Sequence, residues 1–478
     1  MIGREKETKE LNRLYNSGRA ELVAVYGRRR VGKTFLIGEV FEGRFTFRHA
    51  GLSPAEENSK GLLRAQLDHF YNSLRLYGMD ESGKPSDWLE AFFLLEKFLQ
   101  EHDDGSRQVV FLDELPWMDT PRSGFLQAFE GFWNTWGCHR KNLMVIVCGS
   151  ANSWILDKLI NNHGGLYDRV TWEIDLEPFT LHECEEYYRS INVHYSRYDI
   201  VQSYMIFGGI PYYMGYADGS KSLSQNVDAA FFAKKAKLSN EFDRLFDSIF
   251  ANPEAEKGIV RLLAKRSMGY NRKEIVKSLG ITDGGGLSRH INALLASDFI
   301  IKYVPFGMGK REEHYKLTDP FCLFYLHFLD GKRMGNTKFW QQNAQSQELV
   351  IWRGYAFENV VFNHIDQIKK ALGISGVVTR SSAWTKKGSK EEKGTQIDLI
   401  IARADNVINL CEIKFYRGDF EVSKDCYHTL MNRQEILSES VSPMITIHST
   451  LITTFGLKQN EYSDIFTDVV TMDDLFSD

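Results

Sequence analysis

The spacing of apolar and polar positions changes several times along this chain, and each change marks an element. "ELVAVYGRRRVGKTFLIGEVF", residues 21 to 41, opens on a continuous apolar run, the pattern of a strand buried on both faces. It crosses a glycine-bounded loop and resumes at helical spacing near Lys33. "QVVFLDELPWM" (108 to 118) and "NLMVIVCGSANSW" (142 to 154) read as two more buried strands, each ending in polar residues. From 254 to 300 the apolar residues fall at three- and four-residue spacing in "EAEKGIVRLLAKRSMGY", "NRKEIVKSLG" and "GLSRHINALLASDFI", separated by short turns that contain glycine. "FIIKYVPFG" (299 to 307) and "EEHYKLTD" (312 to 319) then read as two strands around a glycine-rich turn. Three helices followed by a β-hairpin predict a winged helix-turn-helix. The polar stretch 331 to 351 predicts a linker or connecting helix. Beyond it, 349 to 373 reads as a helix, 375 to 388 as a strand, 389 to 416 as a hairpin, and 420 to 456 as a helix with an apolar strand.

Composition narrows the setting without naming a chemistry. A chain of 478 residues exceeds what one hydrophobic core supports, so three or four domains are expected. The formal charge of -5 argues against a histone-like polycation, and any nucleic acid must be met by a local basic face. The six cysteines are scattered with no CxxC pair, which fits reduced thiols. No run approaches the length of a membrane span, and "MIGREKETKELNRLY" is charged and amphipathic rather than signal-like. A cytoplasmic protein that meets no membrane is expected.

The first third carries a specific chemistry. Gly27, Gly32, Lys33 and Thr34 fit the G-x-x-x-x-G-K-[ST] pattern between a strand and a helix, the context that makes it a phosphate cradle. Its glycines let backbone N–H groups turn inward on phosphates, and the helix amino terminus adds partial positive charge. The loop Gly27, Arg28, Arg29, Arg30, Val31, Gly32, Lys33, Thr34 and Phe35 is thus the expected ATP site, with Lys33 on the β- and γ-phosphates and the Thr34 hydroxyl on Mg2+. The arginine filling of this loop is read as solvent-facing. Asp113, at the end of the second strand, falls where an acid holds magnesium, and Glu114 is placed to polarise the attacking water. Ser150 reads equally as a γ-phosphate sensor and as a plain helix cap. Arg169 reads as a charge-stabilising arginine or as a surface ion-pair residue.

"IGREKE", "GRRRVGKT", "FLDELPW", "CGSANSW", "LYDR…LEPF" and "GGIPYYM" together resemble the AAA+/STAND-type ATPases abundant in archaea and also present in bacteria. The resemblance covers roughly residues 1 to 250. It implies a P-loop core over 1 to 177, a helical lid over 178 to 250 with the GGIP stretch near the adenine or the lid hinge, and self-association into a homo-oligomer. In the winged helix, 251 to 332, the third helix offers Ser288, Arg289 and Asn292 to a DNA groove, while Lys310 and Arg311 at the wing tip are candidates for phosphate. An interdomain or protein-protein role for this module stands equally open.

After the linker, 333 to 347, the segment 348 to 478 carries acids inside apolar runs. "QIDLIIARADNVINLCEIKF" places Asp398 on one strand and Glu412 and Lys414, two apart and so on one face, on the next. With Glu358 on the preceding helix, these residues resemble the PD-(D/E)xK nuclease superfamily, apart from Ile397 where that family has proline. The resemblance implies an α/β nuclease-like domain in which Glu358, Asp398 and Glu412 hold Mg2+ or Mn2+ and Lys414 positions the water. The whole is therefore expected as an α/β multidomain chain whose parallel-sheet P-loop ATPase is coupled to DNA binding and to phosphodiester cleavage. The alternative is a nucleotide-driven switch whose terminal domain binds nucleic acid or a protein without cutting.

Overall fold

The buried apolar runs of the first third form β1 (Glu21–Tyr26), β2 (Phe45–Ala50), β3 (Gln108–Asp113), β4 (Leu143–Cys148) and β5 (Trp172–Asp175). The computed structural model describes residues 1–53, 59–80, 83–161, 165–166, 168–250, 252–332, 335–386 and 395–477, and divides into two units, Met1–Glu177 and Pro178–Asp478. In the first unit the strands make one parallel sheet in the order β2-β3-β4-β1-β5. Every position of β3 and β4 is buried because helices cover both faces. Leu22, Val110 and Val145 pack on one face against Phe70, Trp88, Phe92 and Trp133. Val23, Phe111 and Ile146 pack on the other against Leu11, Leu14, Leu36 and Ile37. Each such side chain contributes about 1.5–3 kcal/mol relative to exposure. Because β4 lies between β1 and β3, the carboxyl ends of these three strands sit side by side, and the phosphate loop, the paired acids and Ser150 all leave from that edge.

The second unit begins with helices Leu181–Ser190 and Arg197–Phe207, the first started by a Thr180/Glu183 capping box and the second ended by Gly208 at φ 68°. A Cβ on the next glycine, Gly209, would meet the Phe179 carbonyl oxygen at 2.3 Å, so the GGIP stretch is a tight interhelical turn against the start of this unit. The expected three helices are Pro253–Leu263, Arg272–Leu279 and Gly285–Ala296. They pack with a three-stranded antiparallel sheet of β6 (Tyr270–Asn271), β7 (Ile300–Tyr303) and β8 (His314–Leu317), ordered β6-β8-β7. The terminal strands are β9 (Thr379–Lys386), β10 (Thr395–Arg403), β11 (Val407–Lys414), β12 (Phe420–Glu421), β13 (Thr446–Thr453), β14 (Leu457–Lys458) and β15 (Asp468–Val470). Five form a sheet in the order β15-β13-β11-β10-β9, antiparallel from β9 to β11 and parallel from β11 to β15, while β12 pairs with β14.

One apolar cluster runs from Phe179 through Phe246, Leu294, Phe324 and Phe357 to Phe476, which is why these segments form one unit. One expectation is narrowed and one changes. The stretch 331 to 351, read as a linker or connecting helix, contains helix Phe339–Asn343; its Trp340 is buried against Phe324, Phe328 and Trp352, and the Asp228 carboxylate accepts the N–H groups of Trp340 and Gln341. The single helix expected over 349 to 373 is two, Gln347–Asn363 and Ile365–Ala371, broken at His364. The hairpin expected over 389 to 416 lies partly outside the described residues.

Candidate functional site

The turn from β1 into helix Lys33–Val40 needs two glycines for different reasons. Gly27 has φ 132°, and a Cβ there would meet the Leu176 carbonyl oxygen at 2.3 Å; Gly32 has φ 102° at the helix N-cap. The Gly27 N–H donates to Asn152 Oδ1 at 3.0 Å. Arg4 Nη2 donates to the Glu177 carbonyl at 2.9 Å and to the Val31 carbonyl at 3.3 Å, which ties the loop to both ends of the unit. Lys33 is buried, and its ammonium donates to the carbonyls of Gly27 at 2.7 Å and Arg28 at 3.2 Å. Burial lowers its pKa, against the pull of the Glu114 and Asp113 carboxylates.

The arginines do not share one environment. Arg28 is buried rather than solvent-facing, and Arg29 donates to Ser150 Oγ at 3.4 Å with its guanidinium over Trp117. Arg30 sits at φ 72°. Val31 is buried in the core, while Phe35 is 61% exposed on the first turn of the helix.

The paired acids lie beside this loop. Thr34 Oγ1 donates to Asp113 Oδ2 at 2.8 Å, while Asp113 Oδ1 accepts from the Glu114 N–H at 2.9 Å and from Cys148 Sγ at 2.7 Å. Burial, reinforced by Asp113, keeps the Cys148 thiol protonated and a donor. Glu114 adopts φ 46°, a left-handed conformation that costs about 1–3 kcal/mol in a residue with a side chain. Ser150 accounts for where that side chain goes: its N–H donates to Glu114 Oε2 at 3.1 Å, and its hydroxyl lies 2.9 Å from Oε2 and 3.1 Å from Oε1. Ser150 is thus a partner of the acid after Asp113. Arg169 lies exposed in the turn before β5, with no side-chain hydrogen bond or ion pair among the described residues. Arg4, Cys148 and Asn152 went unread as site residues, although Arg4 stands in "IGREKE" and the other two in "CGSANSW".

At the terminal sheet Glu358, Asp398 and Lys414 line one cleft, while Glu412 is drawn into ion pairs. Across the β10–β11 ladder Leu399 faces Cys411 and Ile400 faces Leu410, but on the β9 side the register slips between Ile397 and Ile400. Ile397 and Ile400 consequently share one core cluster with Leu410, while Leu399 and Ile401 join Cys411 in another. Strict alternation on β10 therefore fails at Asp398. Glu412 is neutralised from two sides, with Lys414 Nζ at 2.6 Å and Arg433 Nη1, from helix Lys424–Ser440, at 2.5 Å. Burial opposes the Lys414 charge, but Glu412 raises its pKa overall. Asp398 instead accepts from Gln396 Nε2 at 2.8 Å and lines a cleft with Glu358, Arg353, Tyr355 and Lys414. Glu358 is buried, and desolvation followed by the Asp398 charge pushes its pKa up to about 8. Among the described residues no group of three or more His, Cys, Asp or Glu side chains is placed to hold a metal ion. Glu358, Asp398 and Lys414 thus come together in this cleft, while Glu412, whose charge also acts on Glu358, has Lys414 and Arg433 as its partners.

A parallel sheet with a glycine-bounded lysine loop on one strand end and a threonine-linked aspartate on another defines a P-loop NTPase-like domain. Residues 1–217 match the model of a family described as an ATPase domain predominantly from Archaea. The chain is 24% identical over 407 residues to an uncharacterized protein of Methanocaldococcus jannaschii, covering 84% of this chain and 83% of that one. Similar solved structures include the Walker-type ATPase of Pyrococcus abyssi, with TM-score 0.47 and 20% identity, covering 69% of this chain and 96% of that one. The ORC2 protein of Aeropyrum pernix in its ADPNP–ADP complexes gives TM-score 0.43 and 14% identity over 72% and 96%. No described helix is long and apolar enough to cross a membrane.

Proposed function

We propose that the protein is a nucleotide-driven switch: the first unit binds and hydrolyses ATP, and the second presents a binding surface without cutting phosphodiester bonds. One observation carries the ATPase half, the Thr34–Asp113 hydrogen bond of 2.8 Å beside a Glu114 held by Ser150. A hydroxyl and a carboxylate at the phosphate end of the loop are hard oxygen donors that suit Mg2+. Bound there, the ion would neutralise charge developing on the transferred phosphoryl group. Lys33 releases the carbonyls of Gly27 and Arg28 to meet the β- and γ-phosphates. Glu114 exchanges the Ser150 hydroxyl for a water and orients it in line with the γ-phosphate. Arg169, exposed ahead of β5, is available to the same charge from a second copy.

The non-cleaving half rests on Glu412, which Lys414 and Arg433 already satisfy. DNA is the partner favoured for the second unit, because Arg289 and Asn292 are exposed on helix Gly285–Ala296 and Arg311 is exposed ahead of β8. The test joins three measurements. Glu114→Gln should retain ATP binding and lose ~10²- to 10⁴-fold in turnover, the usual worth of a general base, while Lys33→Ala should lose nucleotide affinity. Supercoiled plasmid should stay intact in Mg2+ and Mn2+ with or without ATP, and a gel shift should weaken as salt rises. Undiminished hydrolysis by Glu114→Gln would remove the assigned base, plasmid cleavage would restore the nuclease reading, and absence of any shift at low salt would transfer the surface to a protein partner.

A further inference from the structure

Where the resemblance called for a metal ion, the second unit supplies an ammonium from a different part of its own chain. Lys316 stands on β8, at the edge of the three-helix segment far in sequence from the terminal strands, and is only 5% exposed. No hydrogen bond or ion pair to its ammonium occurs among the described residues. Its Nζ instead lies 4.1 Å from the ring centroid of Phe362, one turn beyond Glu358 on helix Gln347–Asn363. The opposite charges that act on it are Glu358 and Asp398, both of which line the terminal cleft. An unpaired buried ammonium or carboxylate is expensive, and each of these groups lowers the cost of the other.

The same hairpin is fastened to the terminal sheet at a second point. The Phe306 N–H donates to the Ala383 carbonyl at 2.9 Å, and the Phe306 ring packs on the cluster of Trp384, Ile397, Ile400 and Leu410. The Tyr303 hydroxyl of β7 donates to the Met268 carbonyl at 2.7 Å and lies within the field of Asp398. The β7–β8 hairpin is therefore packed on the terminal sheet, with Lys316 buried against Phe362 one turn from Glu358.

We propose that Lys316 is the resident cation of the Glu358–Asp398 pair, a tethered ammonium that holds the β7–β8 hairpin on the terminal sheet and excludes divalent cations from the cleft. With Lys414 and Arg433 on Glu412, each acid of the nuclease-like constellation is then balanced by the chain itself. The proposal concerns the second unit alone, and its readouts, cation binding and amide exchange, are independent of the ATP turnover that tests the first.

The experiment counts Mn2+ bound to the nucleotide-free, full-length protein by the electron paramagnetic resonance of the free ion. Wild type and Glu358→Gln should bind Mn2+ identically, because no divalent ion uses Glu358 while Lys316 is in place. Lys316→Met should gain one site of at least tenfold higher affinity, and Lys316→Met/Glu358→Gln should lose it again. In Lys316→Met, amides of residues 300 to 317 should also exchange faster than in wild type. A wild-type Mn2+ site that disappears in Glu358→Gln overturns the proposal even if Lys316→Met does not fold. A folded Lys316→Met that gains no site overturns it equally.

Discussion

His364 shows a single side chain whose protonation state is dictated by its partners. Its Nδ1 lies 2.7 Å from the Val360 carbonyl and must donate, while Nε2 accepts the Leu181 N–H at 3.0 Å. Both ring nitrogens are used by the neutral form, and a second proton would oppose an N–H. Burial accordingly lowers the pKa to about 4. Because the folded value is depressed, its stabilising contribution is complete above the unfolded value of about 6.5 and is lost as pH falls toward about 4. The expected loss approaches ~1.4 kcal/mol per pH unit from this residue. Urea unfolding of wild type and His364→Gln at several pH values between about 7 and about 4.5 checks it; parallel curves would exclude His364 as the source.

At the scale of elements, caps and register fix where the chemistry falls. Helix Arg272–Leu279 starts at Asn271, whose side chain accepts the Glu274 N–H while Glu274 returns the bond to the Asn271 N–H. Asn271→Ala should cost about 1 kcal/mol and Asn271→Asp much less, measured as shifts of the urea midpoint at constant m. The buried strands of the first unit and the three helices of the second were legible because local hydrophobic period and turn glycines specify them. The slip between Ile397 and Ile400 was not, since it depends on which core cluster each side chain can reach on either side of β10. The break at His364 was equally hidden, because it rests on Leu181, in another helix.

For the molecule as a whole, nucleotide binding should be visible as stability of the first unit. A ligand that binds only the folded state adds about 2.7 kcal/mol at one hundred times its dissociation constant. Calorimetry with Mg2+ and a non-hydrolysable ATP analogue should therefore raise the transition of residues 1–177, and Lys33→Ala should abolish the rise. An equal rise in that variant would show that the nucleotide binds outside the phosphate loop.

The phosphate loop was written locally, because Gly27, Gly32, Lys33 and Thr34 act through backbone geometry set within a few residues, and so were the strand that ends in Asp113 and the strand that ends two residues before Ser150. Tertiary structure alone decided that Ser150 holds Glu114, that Arg4 and Asn152 brace the loop, and that Cys148 donates to Asp113. It also decided that Arg433, carried on a separate helix, pairs with Glu412, an acid the sequence had assigned to a metal, and that Lys316 is buried against Phe362, one turn from Glu358. The physical reason is range: a glycine turn or a buried strand is written in neighbouring residues, whereas the charge that balances a buried carboxylate comes from whichever segment the fold brings beside it.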